Sequence, residues 1–292
     1  GSSGKTNLVD SLCFAAGSSA RKGSIPDGLA LTMYTAEEIE HGMSLQTTPA
    51  FCEYRNVKIN LLDTPGFIDF TGETLSALRV ADSAVVVVSA MSGVEVGTDT
   101  VWGYAREKGM ARFVYVSMMD KENVSFQSTL DEIQQHLSEK AIPVVIPIGH
   151  GPDFTGVIDL FSGKAHIFNS SNGKGEYQEG DIPDDMTIEV EKRVEELQEA
   201  LAMTDEDLMD VYFEHGRIPI GDAVAAMKKA VLNGDLIPVF SGSSTEAYGM
   251  CEMLEGLVAI SPSPADVPPQ ILEEKTSDDT KEIQSSDGRF SA

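Results

Sequence analysis

Apolar positions along the first half of the chain follow two rhythms, one helical and one extended. Leu8, Val9, Leu12, Cys13 and Ala16 recur at i, i+3 and i+4, predicting a helix after residues 1–6 that stops at Gly17. Residues 18–46 carry no sustained period, and so long an irregular stretch in a compact domain points to function. Residues 50–54 and 57–62 read as strands flanking an Arg55-Asn56 turn, the second alternating through Val57, Ile59 and Leu61. Asp63-Thr64-Pro65-Gly66 must then turn. Residues 74–80, 96–108 and 126–137 read as helices. Between them 84–88, 112–118 and 143–148 are apolar runs of the kind found in parallel strands buried on both faces.

Strand alternating with helix predicts an α/β fold, a mostly parallel sheet with helices on both faces. The rhythm changes after Phe154. One β-like stretch at 156–168 and a turn at Asn172-Gly173 precede three helical segments at 186–202, 205–214 and 222–233. Residues 154–233 therefore read as an inserted α+β subdomain, and 236–240 and 247–259 resume the earlier alternation. The main domain is expected over 1–153 and 234–264. After Ser261-Pro262-Ser263-Pro264 the chain turns polar and acidic, through Glu273-Glu274-Lys275 and Asp278-Asp279. Residues 265–292 are expected to be a linker and the start of a next domain.

Composition narrows the function. A net charge of −26 over 292 residues leaves no Lys/Arg cluster with which to grip phosphate backbones, so independent nucleic-acid binding is not expected. No apolar run approaches the length of a membrane span, and no signal-peptide pattern is visible, so no membrane association is expected. Cys13, Cys52 and Cys251 are widely spaced and suit neither a disulfide framework nor zinc, which fits a cytoplasmic protein. A monomer is expected.

Two short motifs carry chemistry. Gly4-Lys5-Thr6 opening a helix is the end of a phosphate-binding loop, G-x-x-x-x-G-K-[ST]. Its glycines let backbone N–H groups approach phosphates, its lysine reaches the β/γ oxygens, and its hydroxyl ligates Mg²⁺. The first glycine of that pattern falls ahead of residue 1, as does the strand that should lead into it. The chain as it stands is therefore expected to bind nucleotide poorly. Gly1-Ser2-Ser3-Gly4 also reads as a cloning remnant. Asp63-Thr64-Pro65-Gly66 after a strand matches the loop in which Asp holds Mg²⁺ through water and the Gly N–H meets the γ-phosphate. The two motifs in this order, each on the right element, specify a P-loop nucleotide switch.

At this point the chain resembles a family. Leu62-Asp63-Thr64-Pro65-Gly66-Phe67-Ile68-Asp69-Phe70 is similar to the L-D-T-P-G-H-V-D-F segment of elongation factor G, a translational GTPase. Glu40-His41-Gly42-Met43-Ser44-Leu45 resembles its switch segment E-R-G-I-T-I, and Pro238-Val239-Phe240-Ser241-Gly242-Ser243-Ser244 its base-contacting loop P-V-L-C-G-S-A. Gly156-Val157-Ile158-Asp159-Leu160 and the helices after it resemble the G′ insertion shared with bacterial release factor 3. Residues 261–267 resemble the exit from the GTP-binding domain, and Phe290-Ser291-Ala292 the first strand of the next.

The resemblance implies GTP and GDP as ligands, Mg²⁺ as the metal, and the ribosome as partner of the full-length protein. It implies that Ser3, Gly4, Lys5 and Thr6 bind phosphate, with Thr6, Ser44 and Asp63 around the metal and Gly66 at the γ-phosphate. Asp120 stands at the acidic position of N-K-x-D, where a carboxylate pairs with guanine N1–H and N2–H₂. Ser243 and Ser244 would offer backbone N–H groups to guanine O6.

Two departures matter. N-K-x-D appears as Ser117-Met118-Met119-Asp120, which replaces the lysine over the base with methionine and removes a bracing amide. Phe67 stands where translational GTPases carry the histidine that positions the attacking water, so hydrolysis is expected to be impaired. The resemblance is thus to a divergent paralogue. A non-hydrolysing pseudo-GTPase interaction module, a release factor 3-like GTPase and a P-loop ATPase with an eroded guanine motif stay open as alternatives.

Overall fold

The computed structural model describes residues 2–169, 173–268, 270–273 and 280–283, the last two stretches as backbone. Helix α1 (Lys5–Ala15) is followed by a short α2 (Ala36–His41) inside the stretch that showed no periodicity. Strands β1 (Thr48–Tyr54) and β2 (Val57–Asp63) pair antiparallel as the expected hairpin. Then come α3 (Thr71–Val80), β3 (Ser83–Ser89), α4 (Val96–Glu107), β4 (Ala111–Ser117) and α5 (Phe126–His136). Strands β5 (Ala141–Pro143) and β10 (Ile237–Ser241) complete a parallel sheet of order β3-β4-β10-β5. All seven residues of β4 and all five of β10 are buried, as continuous apolar runs between two helical layers require.

The second sheet, of order β6-β7-β8-β9, is antiparallel. It contains β6 (Val145–Ile148), β7 (Gly156–Asp159), β8 (Lys164–Phe168) and β9 (Tyr177–Gly180). Helices α6 (Thr187–Ala202), α7 (Glu206–His215) and α8 (Ile220–Asn233) follow, and α9 (Met250–Ile260) comes after β10.

Several expectations need correcting. The single strand read over 143–148 is two strands in different sheets. Val144 is the joint, because its N–H donates to the Val239 carbonyl at 3.0 Å while its carbonyl accepts from Leu160 N–H at 3.0 Å. An unbroken apolar run cannot reveal that change of partner. The β-like stretch at 156–168 is likewise two strands, paired as a hairpin. Helix α2 was missed although Thr35 and Glu38 form a complete capping box at its start. Its six residues are too few to show a period. In the stretch expected to be a linker, β11 (Gln270–Glu273) and β12 (Thr280–Ile283) pair antiparallel. Asn172, Glu274, Lys275, Asp278, Asp279, Phe290, Ser291 and Ala292 lie outside the described residues.

Candidate nucleotide site

Gly4 precedes α1 with φ 91°, a backbone shape that glycine takes without strain, and no side chain caps the helix. The first-turn N–H groups are thereby left for an anion. Burial holds the Lys5 ammonium below its ordinary pKa, while the carboxylates of Asp63 and Glu95 pull the other way. A phosphate beside Lys5 would favour the charged form. Seven of the expected residues, Ser3, Gly4, Lys5, Thr6, Ser44, Gly66 and Phe67, line one cleft of about 80 Å³. Met33 and Met43 line it too.

Within it the hydroxyls of Thr6 and Ser44 lie 3.1 Å apart, both buried. Asp63 ends β2 and is 2% exposed. Its Oδ2 accepts from the Thr32 hydroxyl at 2.5 Å, while its buried Oδ1 has no hydrogen-bond partner. Burial raises the Asp63 pKa against the pull of the Thr32 and Thr6 hydroxyls and of Lys5. An acceptor left alone at such depth costs about 1–3 kcal/mol, which argues for a missing partner. Two adjacent hydroxyls and a carboxylate oxygen form a hard, all-oxygen donor set, and that set fits Mg²⁺. Among the described residues no three His, Cys, Asp or Glu side chains form a metal cage. A magnesium ion carried largely by phosphate and water needs none.

Sequence reasoning missed Thr32 and Glu38. The buried Glu38 carboxylate accepts from Leu45 N–H at 3.0 Å and so shapes the turn that carries Ser44. The Thr35-x-x-Glu38 spacing was the available signal for Glu38. Thr32 sits in an aperiodic segment and had none.

The second group of expected residues lies where β4 and β10 end. Ser117 closes β4, and its hydroxyl donates to the Ser3 carbonyl at 2.7 Å, tying this region to the phosphate loop. Met118 has a left-handed backbone, φ 65°, a shape costing a non-glycine residue about 1–2 kcal/mol. A Cβ built on Gly4 would stand 3.8 Å from the Met118 methyl, so the methionine covers the loop. Its sulfur accepts from the Ser89 hydroxyl at 3.4 Å.

Asp120 Oδ2 meets Lys121 Nζ at 2.6 Å, whereas its buried Oδ1 has no partner. Burial pushes the Asp120 carboxyl up, but Lys121 and the Ser243 hydroxyl outweigh it and the group stays low and charged. A charged acceptor facing inward suits a ligand with an N–H edge.

One expectation fails here. Ser243 N–H donates to the Tyr248 carbonyl at 3.0 Å, and Tyr248 N–H returns a bond to Ser243 at 2.9 Å. The loop closes on itself, so Ser243 has no N–H to offer a base, and its hydroxyl accepts from Glu246 N–H at 3.2 Å. Ser244 packs alongside, with its carbonyl accepting from the Ser11 hydroxyl at 2.5 Å and its own hydroxyl unpartnered.

The Ser117–Ser3 bond thus ties the strand end before Asp120 to the phosphate-type cleft. Residues 2–263 match the family model of the elongation factor Tu GTP binding domain. The chain belongs to that family. Guanine-nucleotide binding is the property the family implies, and the α/β fold agrees with it. A crystal structure of a Thermus thermophilus protein is similar, with 34% sequence identity and a TM-score of 0.84. The match covers 92% of this GTP-binding domain chain and 40% of the Thermus protein. No helix among the described residues is long and apolar enough to cross a membrane.

Proposed function

We propose that this chain is the GTP-operated switch of a cytoplasmic, monomeric, elongation factor G-type protein that works on the ribosome through its full-length form. Residues 154–233 serve as its inserted subdomain, and 1–153 with 234–264 as the nucleotide-binding body. The observation that carries the reading is the meeting of Lys5, Thr6 and Ser44 in one cleft, with the buried Asp63 carboxylate acting on Lys5 and the Ser117 hydroxyl tying the strand end before Asp120 to Ser3.

In this reading Lys5 and the N–H groups opening α1 hold the β- and γ-phosphates. Thr6, Ser44 and Asp63 would hold Mg²⁺, which when bound would supply charge neutralisation to those phosphates. Gly66 N–H receives the γ-phosphate. Because Ser44 belongs to the 18–46 segment and Gly66 to the loop after β2, both segments order with GTP and relax when the γ-phosphate leaves. Asp120 Oδ1 takes the N1–H and N2–H₂ edge of guanine.

A second reading is favoured by Phe67, which stands 44% exposed beside the phosphate cleft and offers no hydrogen bond to a water. In that reading GTP binds and is not turned over, and the domain acts as an interaction module. Calorimetric titration of the natural-length protein with GTP, GDP and ATP tests the main proposal. Guanine nucleotides should bind at least ten-fold tighter than ATP, roughly the contribution of one charged hydrogen-bond pair. Equal affinity for ATP, or no binding at all, would sink it.

A further inference from the structure

Segment 17–31 leaves α1 and folds back over it. Asp10, buried on α1, accepts from Leu31 N–H at 2.9 Å. Gly23 lies so close to the same carboxylate that a Cβ there would stand 2.5 Å from Oδ1. These two contacts pin the segment as a strap. From the strap Lys22 reaches the loop beyond Ser244, where its ammonium donates to the carbonyl of Thr245, 223 residues away in sequence. Glu246, Asp120 and Asp10, in that order, are the carboxylates acting on this ammonium. A cation from an otherwise unrelated segment therefore stands on the loop after Ser244, within electrostatic reach of Asp120.

Asp120 Oδ1 is a buried acceptor without a partner, and Met118 carries no charge. We infer that Lys22 is a specificity-determining residue, its ammonium donating to the O6/N7 edge of a guanine whose N1–H/N2–H₂ edge rests on Asp120. This inference rests on the proposed guanine-nucleotide reading. The two edges adjoin on the ring, so a carboxylate and an ammonium within electrostatic reach of each other serve both. Lysine can only donate. Guanine offers it two acceptors, whereas adenine turns an amino donor to the same place. Lys22 thus favours guanine over adenine. It would add to donation at O6, where the Ser243 N–H is committed to Tyr248.

The test is a set of dissociation constants for GDP, ADP and pyrophosphate, measured with the natural-length protein and with Lys22→Met and Lys22→Arg. Lys22 is only partly buried, so neither change threatens the fold. Lys22→Met should weaken GDP about ten-fold, the scale of a lost charged hydrogen bond, and reduce the preference for GDP over ADP equally. Pyrophosphate binding should stay within about two-fold and Lys22→Arg should keep GDP within about three-fold, since arginine also only donates. Unchanged GDP affinity in Lys22→Met overturns the inference. So does an equal loss for GDP and pyrophosphate, which would make Lys22 a remote charge, or a loss in Lys22→Arg as large as in Lys22→Met. If the unaltered protein binds pyrophosphate but shows no preference for GDP over ADP, the guanine reading itself fails, and this inference with it.

Discussion

The hydroxyls of Thr6 and Ser44 stand 3.1 Å apart across 38 residues of intervening chain. One opens α1 and the other follows α2, so the pair reports whether the 18–46 segment is closed on the phosphate loop. Ser44→Ala should weaken Mg²⁺-dependent GTP binding about ten-fold or more, the scale of a lost bond to a charged group. GDP affinity should change little, and Ser44→Thr should restore the GTP value. Calorimetry with and without a chelator reads all of these. Equal GTP affinity in Ser44→Ala and the unaltered protein would remove Ser44 from the site.

Phe67 offers a test of chemistry. Its ring flanks the cleft beside Gly66 and has no polar atom for a water. Phe67→His should raise single-turnover GTP hydrolysis with ribosomes present by about 10²–10⁴-fold, the usual contribution of a positioned proton-transfer group. GTP affinity should stay the same. A fast unaltered protein, or an inert histidine variant, would refute the idea that Phe67 limits turnover.

Asp10 gives a pH dependence of definite sign. Burial raises its pKa to about 6 against the Leu31 hydrogen bond, from an ordinary value of 3.8. A folded-state pKa raised above the unfolded one means the folded form binds the extra proton. The stability it brings is fully present below pH 3.8 and is lost as pH rises to about 6. Asp10→Asn keeps an acceptor for Leu31 and removes the charge. It should stabilise the protein by about 1–3 kcal/mol at pH 7.5, the free-energy equivalent of a one- to two-unit shift, and by almost nothing near pH 3.5. Denaturant melts at both pH values decide this, and a pH-independent difference counts against it.

The pair His166–Glu252 holds the second sheet to α9. Its Nδ1 and Oε1 lie 3.0 Å apart with both residues buried, and Tyr177 stacks on the imidazole at 3.8 Å. Burial pulls the His166 pKa down but Glu252 outweighs it and the pKa is raised, while burial raises the Glu252 carboxyl in turn. Glu252→Ala would leave the buried imidazole without its partner and should cost about 1–3 kcal/mol. Glu255→Ala, three residues on, removes contacts to Arg55, Tyr54 and Tyr177 at the surface and should cost less than Glu252→Ala. Comparable losses in chemical denaturation would show that burial does not set the difference.

Much of the fold was legible because each buried strand declares itself locally. β3, β4 and β10 are mostly apolar runs, interrupted in β4 by the buried Arg112, and α1 shows its buried side through Leu8, Val9, Leu12 and Cys13. The candidate site was legible where chemistry is compressed into adjacent residues, as in Gly4-Lys5-Thr6 and Asp63-Thr64-Pro65-Gly66. It was not legible where a contact spans the chain. Thr32 on Asp63, Glu38 under Ser44 and Lys22 on Thr245 each join segments with no shared period.

By itself, then, the order of residues determined the alternation of strand and helix and the phosphate-loop motif, since each depends on neighbours within a few positions. Only the tertiary structure decided that Val144 divides one apolar run between two sheets and that the Ser243 N–H is spent on Tyr248. It also decided that Lys22 reaches the Thr245 carbonyl. The physical reason is that a backbone group or a long side chain takes whichever partner folding brings within about 3 Å, and that partner leaves no mark on the local pattern.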